Sequence, residues 1–445
     1  MFFRELLLER LKTTYTRSLT VKTSKTMLAS LLALTLVCAA SAQTTLRVTG
    51  STAYRAATLE AIANILKPGF TLAYEASAAE SWTKANIVIF TGTTTGGTSV
   101  VIKTAFFGSI GGVANVAGGL TVGPGGTAYT DGQTIGWLAD NTPQSVTSGT
   151  SGGTQIAPAN AVYDSPTKPD VTLSDSFQAS APSKYRTPVL SGKIVGVVPF
   201  EWVASPGTAA VGTVNNLTSA HAKILLKGTL ELKTLSGNTH DTEKVFAVGR
   251  DEDSGTRIAA LADTGYGIGN TVVQYQPLFD GNTTPKNPPP PPGTQITGAA
   301  EWPGPVTVDG ISYPVADSGY NSGGSVAGAI GVPHNSAFAT WFISYLGLND
   351  AATAIGTGHA YALSFNSTAY STTAVETGTY TFWGYEHFLY LSSLSGTQLT
   401  VAQLVETAVL DTTASVSGIL IADMQVHRNK DGGAIAAGGT PPNKP

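Results

Sequence analysis

Four times in this chain a turn of glycine and hydroxyl residues runs into a stretch of helix-like periodicity. The turns are Gly50-Ser51-Thr52, Gly108-Ser109-Ile110-Gly111-Gly112, Ser254-Gly255-Thr256 and Ser322-Gly323-Gly324-Ser325. At the first three an apolar, β-branched run precedes the turn, at residues 46–48, 99–104 and 245–248. Strand, tight turn and helix form the repeating unit of a sheet covered by helices, so the pattern predicts an α/β fold. It also predicts helix N-termini whose first amide N–H groups have no intrahelical partner and carry positive partial charge, with small residues allowing close approach.

The third turn is the richest in chemistry. Residues 250–257 read Arg-Asp-Glu-Asp-Ser-Gly-Thr-Arg, between the 245–248 run and a helical stretch at 258–262. A helix N-terminus beside a planar guanidinium is built to hold an oxyanion, and Ser254 and Thr256 add hydroxyl donors. The alternative is an ordinary helix cap, since Asp253 or Ser254 followed by Gly255 is also a capping sequence. Arg257 either points away as a first-turn helix residue or adds a second charge.

Elsewhere the periodicity predicts a helix over 53–66, a hairpin from 87–90 and 99–104, a buried strand at 194–199 and a helix over 217–226. Residues 118–160, rich in Gly, Thr and Ser, read as an insertion of loose turns. A short strand at 170–173 places Ser174 and Asp175 at its carboxyl end, where open α/β sheets gather ligand groups. Five prolines, Pro288 to Pro292, make 280–296 a surface excursion. Residues 429–445 read as a polar Gly/Pro tail.

The first 42 residues stand apart. Residues 27–37 form an apolar segment of secretory length after Lys22 and Lys25, and Ala40-Ser41-Ala42 is a small-x-small cleavage site. A cleaved signal peptide and a periplasmic or extracellular location are expected, with Met27 as an alternative start. The single cysteine, Cys38, falls inside this segment, which leaves the mature chain without disulfide or thiolate metal site. Residues 1–42 hold six of the 25 Lys and Arg and two of the 29 Asp and Glu, so the mature chain carries 19 basic against 27 acidic side chains, a formal net charge of −8. That balance argues against nucleic acid as a partner. The remaining 403 residues exceed one simple core, and two lobes are expected. No cofactor motif or metal-ligand pattern is present.

The ordered set Thr49-Gly50-Ser51-Thr52, Gly108-Ser109-Ile110-Gly111-Gly112-Val113, Val171-Thr172-Leu173-Ser174-Asp175 and Arg250-Asp251-Glu252-Asp253-Ser254-Gly255-Thr256 resembles the phosphate-binding proteins of bacterial phosphate ABC transporters. The stretches Val375 to Trp383 and Ile343-Ser344-Tyr345 resemble that family's crossing segment and second-half strand. The resemblance implies a two-lobed, type II periplasmic-binding-protein-like α/β fold with a ligand cleft between the lobes. It implies that phosphate, or a similar protonated oxyanion, is held by Ser51, Thr52, Ser109, Asp175, Arg250, Ser254, Gly255 and Thr256. An ABC permease partner and a monomeric state come with it. The chain departs from the family in its long 69–174 region, in Tyr54 and in Arg257. Lobe 1 is expected at 43–205 with 330–425, lobe 2 at 206–329, and a polar tail at 426–445.

Asp175 discriminates most sharply. A buried carboxylate facing an anion is repulsive unless the ligand brings a proton, which hydrogen phosphate has and sulfate lacks. The alternative is that Asp175 caps its own following turn. Catalysis is not expected. The six histidines form no His-Glu-x-x-His pattern, and neither a Gly-x-Ser-x-Gly elbow nor a phosphate-binding Gly-x-x-x-x-Gly-Lys loop occurs. Gly265 to Gly269 follows a helix and reads as its C-terminal loop, and His387 sits among aromatics. The rival class is a surface or structural binding module without a transport role.

Overall fold

Those strand-turn-helix units assemble on one mixed sheet in the computed structural model, which describes residues 43–439 except 78, 131–134, 150, 208–213, 280–293 and 414–417. The expected signal segment and the proline run lie outside the described residues. In chain order the strands that matter are β1 (Thr44–Gly50), β2 (Thr71–Glu75), β3 (Ile87–Thr93), β4 (Ser99–Phe106), β5 (Thr154–Ile156) and β6 (Val171–Ser174). They continue with β7 (Ser191–Ser205), β8 (Thr229–Glu231), β9 (Lys244–Val248), β10 (Trp341–Gly347), β11 (Tyr361–Phe365) and β12 (Trp383–Tyr390). The helices that bear on the site are α1 (Arg55–Asn64), α2 (Ser109–Gly118), α3 (Gly255–Asp263), α4 (Gly323–Ile330), α5 (Leu348–Gly356) and α6 (Gly396–Thr412), and the helix expected at 217–226 forms at Ser219–Leu226. Each of the four small-residue turns leads into a helix, α1 to α4, as the pattern predicts.

The sheet runs β8-β9-β10-β7-β12-β6-β1-β4-β3-β2. β1 is parallel to both β4 and β6, β9 is parallel to β10, and β12 runs antiparallel between β6 and β7. The strand expected at 194–199 is longer than predicted, and its length matters. Ser191 to Pro199 pair with β12, while Phe200 to Ser205 pair with β10, so β7 passes from one group of strands to the other. The return segment expected as a unit at 330–425 divides between these groups. β10 and β11 pair with the second half of β7, whereas β12 pairs with β6 and the first half. Beneath the crossing lies an aromatic core in which Trp202 stacks on Phe382 at 5.4 Å and meets Tyr345 edge-on at 5.6 Å.

The insertion read as loose turns and the polar C-terminal tail are both anchored. Within 118–160, Tyr129, Trp137 and Leu138 are fully buried, and the Asn115 side chain accepts the Tyr129 N–H at 2.7 Å. The Lys103 ammonium, itself buried, pairs with Asp140 at 2.7 Å and with Asp164, and β5 joins the sheet beside β2. A few apolar anchors in a polar stretch are enough to order it, because each buried aromatic contributes a few kcal/mol, on the order of 1.5–3.

The C-terminal segment is likewise docked. Arg428 is buried, donates to both Asp263 oxygens at 3.0 and 3.1 Å, and lies 3.9 Å above the Trp383 ring. Asp431 accepts the Phe177 N–H at 3.0 Å and the Ser180 hydroxyl at 2.5 Å. No helix among the described residues is long and apolar enough to cross a membrane.

Candidate functional site

β4 and β6 run parallel and bring their carboxyl ends to the crossing from one side. β9 runs opposite to them and brings its end from the other, so the starts of α2 and α3 meet there. The turn after β9 lies across the start of α2. The Asp253 carbonyl accepts the Ile110 N–H at 2.9 Å and the Gly111 N–H at 3.3 Å. Gly108 holds φ +141°, and a Cβ there would stand 2.4 Å from the Asp253 carbonyl oxygen. The glycines expected to admit a ligand at α2 therefore admit the neighbouring turn. Ser254 caps α3 in the ordinary way, its Oγ accepting the Arg257 N–H at 3.2 Å, which leaves its own hydroxyl proton to donate.

Asp175 follows β6 directly and faces α3. Its Oδ2 accepts the Thr256 hydroxyl at 3.3 Å, and its backbone N–H donates to the Ser109 Oγ at 3.2 Å. A Cβ on Gly255 would stand 1.6 Å from Oδ1, so the carboxylate rests on the first residue of the helix. The Asp175 side-chain hydrogen bond goes to α3. Burial pushes the Asp175 carboxyl above its ordinary value, while the Ser109 hydrogen bond, the Arg250 charge and the Thr256 hydroxyl pull it back. Its Oδ1 has no hydrogen-bond partner among the described residues.

Arg250 is almost fully buried. Its N–H donates to the Tyr345 hydroxyl at 3.1 Å, Nε donates to the Tyr320 carbonyl at 3.0 Å, and Nη2 donates to the Asn321 carbonyl at 2.9 Å. Those side-chain bonds use two of five guanidinium donors, and the charge bears on Asp175 and on Asp350. Arg257 takes the first expected course, pointing away from the site as a first-turn residue of α3, but into the interior. It is buried, ion-paired with Asp317, and donates to the carbonyls of Arg250 and Asp317 at 3.3 and 3.2 Å. It braces the turn from behind.

Of the eight predicted residues, the structure gathers Ser109, Asp175, Arg250, Ser254, Gly255 and Thr256. Ser51 adjoins them through its N–H, which donates to the Leu173 carbonyl at 2.9 Å. Thr52 stands apart, on the wall of a cavity of about 500 Å³ between α1 and the start of α5. Arg55 and Asp350 line this cavity, and burial pushes the Asp350 carboxyl up against the pull of Arg55 and Arg250. Walls from both strand groups, including Val198, Pro199 and Gly347, enclose it.

Glu386 went unread in the sequence. It is fully buried on β12, and its signal is there to see, a lone acid inside the apolar run of residues 382–390. Its neighbour His387 packs edge-on to Phe177 at 4.7 Å, with burial lowering its pKa to about 4. A serine–histidine contact exists at Ser205 and His334, 3.0 Å apart, but Ser205 has no exposed surface. Among the described residues no group of three His, Cys, Asp or Glu is placed to hold a metal ion.

No protein-family model matches the chain, and no curated protein matches it. Among solved structures it is similar to a phosphate ABC transporter substrate-binding protein with bound phosphate from Clostridium perfringens, at 12% identity and TM-score 0.44, covering 85% of this chain and 99% of that one. It is also similar to an ABC-type phosphate transport receptor from Vibrio cholerae, at 13% identity and TM-score 0.43, covering 84% and 99%. A third is described as a phosphate binding protein from Planctomyces limnophilus, at 10% identity and TM-score 0.36, covering 84% and 97%. Identities this low and TM-scores below 0.5 leave the chemistry to be read from the chain's own residues.

Proposed function

We propose that this is an exported solute-binding protein that takes hydrogen phosphate between two lobes and passes it to an ABC-type uptake system. The observation that carries the reading is the meeting of Asp175 with the start of α3, beside Ser109 and under the charge of Arg250. Helix amides, three hydroxyls and a guanidinium form the donor shell of an oxyanion, and the single carboxylate accepts the ligand's proton. Ser51 completes the shell from the turn before α1, while Thr52 lies on the wall of the neighbouring cavity. The lobes divide at the crossing of β7, with residues 44–199 and 383–425 in one and 200–382 in the other. Opening about that crossing separates Asp175 from Gly255 and admits the anion, and closure excludes water.

A second reading has its own observation. The Asp175 carboxylate already rests on the start of α3, so the cluster also reads as an internal clasp, with the carboxylate as the helix's anion and the protein as a surface module. Calorimetric titration with phosphate separates the two. Under the first reading the chain binds phosphate, and Arg250→Ala weakens binding by about 2–5 kcal/mol. Heat-silent titration of a folded protein favours the clasp.

A further inference from the structure

Glu386 is a fully buried acid that the donor shell does not use. Its side chain has no exposed surface, and neither carboxylate oxygen meets a hydrogen-bond partner of good geometry among the described residues. Its strand neighbour across the sheet is Gly196, where a Cβ would stand 1.9 Å from the Tyr54 hydroxyl. Glu386 therefore sits in the pocket that Tyr54 and Ser51 close from the start of α1 and that Thr413 closes from the end of α6. The antiparallel β6–β12 ladder sets His387 opposite Ser174, which brings Glu386 opposite Asp175 one step further on; the Asp175 charge acts on Glu386, and the Ser51 hydroxyl works against it. The Arg250 charge acts on Asp175. An ionised, unpaired carboxylate in such a place is costly, and two ionised carboxylates side by side cost more.

We propose that Asp175 and Glu386 form a carboxyl pair sharing one proton, carried by Glu386, so that the site presents one negative charge to an incoming oxyanion. This rests on the anion-binding reading. The Glu386 O–H donates toward Asp175 or the ligand, and Asp175 stays free to accept the proton of hydrogen phosphate. When Glu386 ionises, the site gains a second negative charge and expels its ligand. The pair thereby couples retention of the anion to pH, a property that neither Asp175 nor the donor shell supplies alone.

The test has one arm that needs no ligand. Infrared difference spectra of the full chain against Glu386→Gln at neutral pH are expected to show a protonated-carboxyl carbonyl band present only in the wild type. Asp175→Asn removes the repelling charge, so that band should vanish at a pH lower by about one unit or more. A wild type without the band, or a midpoint unchanged by Asp175→Asn, overturns the pair, and the second comparison stands even where Glu386→Gln does not fold. In the ligand arm, phosphate titrations are run on both proteins as pH rises. Wild-type affinity should fall relative to Glu386→Gln by about tenfold per unit above the midpoint. Parallel profiles overturn the coupling. Phosphate silence in both proteins with the band intact would remove the anion reading and leave the pair.

Discussion

Gly255→Ala puts the architecture of the site to a quantitative test. In a helix, exchanging Gly for Ala gains up to about 1 kcal/mol from propensity. At position 255 the new methyl would stand 1.6 Å from Asp175 Oδ1, 2.7 Å from its Cγ and 2.8 Å from the Ser109 Cβ. The carboxylate is buried and cannot swing into solvent, so overpacking of about 1–3 kcal/mol outweighs the propensity gain. Gly356, the last residue of α5, is the control, because nothing lies within 4 Å of a Cβ placed there. Urea unfolding should show Gly356→Ala as stable as the wild type or up to about 1 kcal/mol more stable, and Gly255→Ala less stable by about 1–2 kcal/mol. If Gly255→Ala matches the control, Asp175 does not rest on α3 and the site is wrongly built.

Three further outcomes follow from the supporting contacts. Arg257→Ala and Asp317→Ala each break a buried pair and should each cost about 3–5 kcal/mol in denaturant unfolding, with the double variant costing less than the sum. Arg428→Lys keeps the charge but loses the planar group that reaches Asp263 and the Thr381 carbonyl at once and stacks on Trp383, and thermal unfolding should register about 1–3 kcal/mol. Asp431 has its pKa raised to about 7 by burial, so the native state holds a proton that the unfolded chain releases at lower pH. Its contribution to stability is full below the unfolded carboxyl pKa of about 3.9 and is lost as pH climbs through the folded value. Asp431→Asn cannot ionise and should lose less stability than the wild type over that rise. A wild type and variant that fall in parallel would contradict this.

The parts of the fold legible in the sequence are those written locally. Four small-residue turns announced four helix starts, and the strand before Asp175 announced its place at the sheet edge. Ser254 was legible too, as a cap, which is how it acts. What the sequence hid is pairing over distance. Arg257 finds Asp317 and Arg428 finds Asp263, 60 and 165 residues away, and neither partner carries a local mark. The glycines of α2 were read as room for a ligand because sequence shows a missing side chain but not what fills its place, which is the turn at Asp253. The 118–160 stretch looked loose because its polar residues outnumber Tyr129, Trp137 and Leu138, although those few do the anchoring. Glu386 escaped because an acid inside a buried strand carries no motif.

The central claim is that Asp175 reads a proton on the ligand, and the most direct measurement is paired calorimetry of wild type and Asp175→Asn with phosphate and with sulfate at neutral pH. The account predicts heat from phosphate and none from sulfate in the wild type. In Asp175→Asn an amide N–H replaces the repelling carboxylate, and sulfate should bind at least as well as phosphate. Equal wild-type binding of both anions, or a preference that Asp175→Asn leaves unchanged, would contradict it.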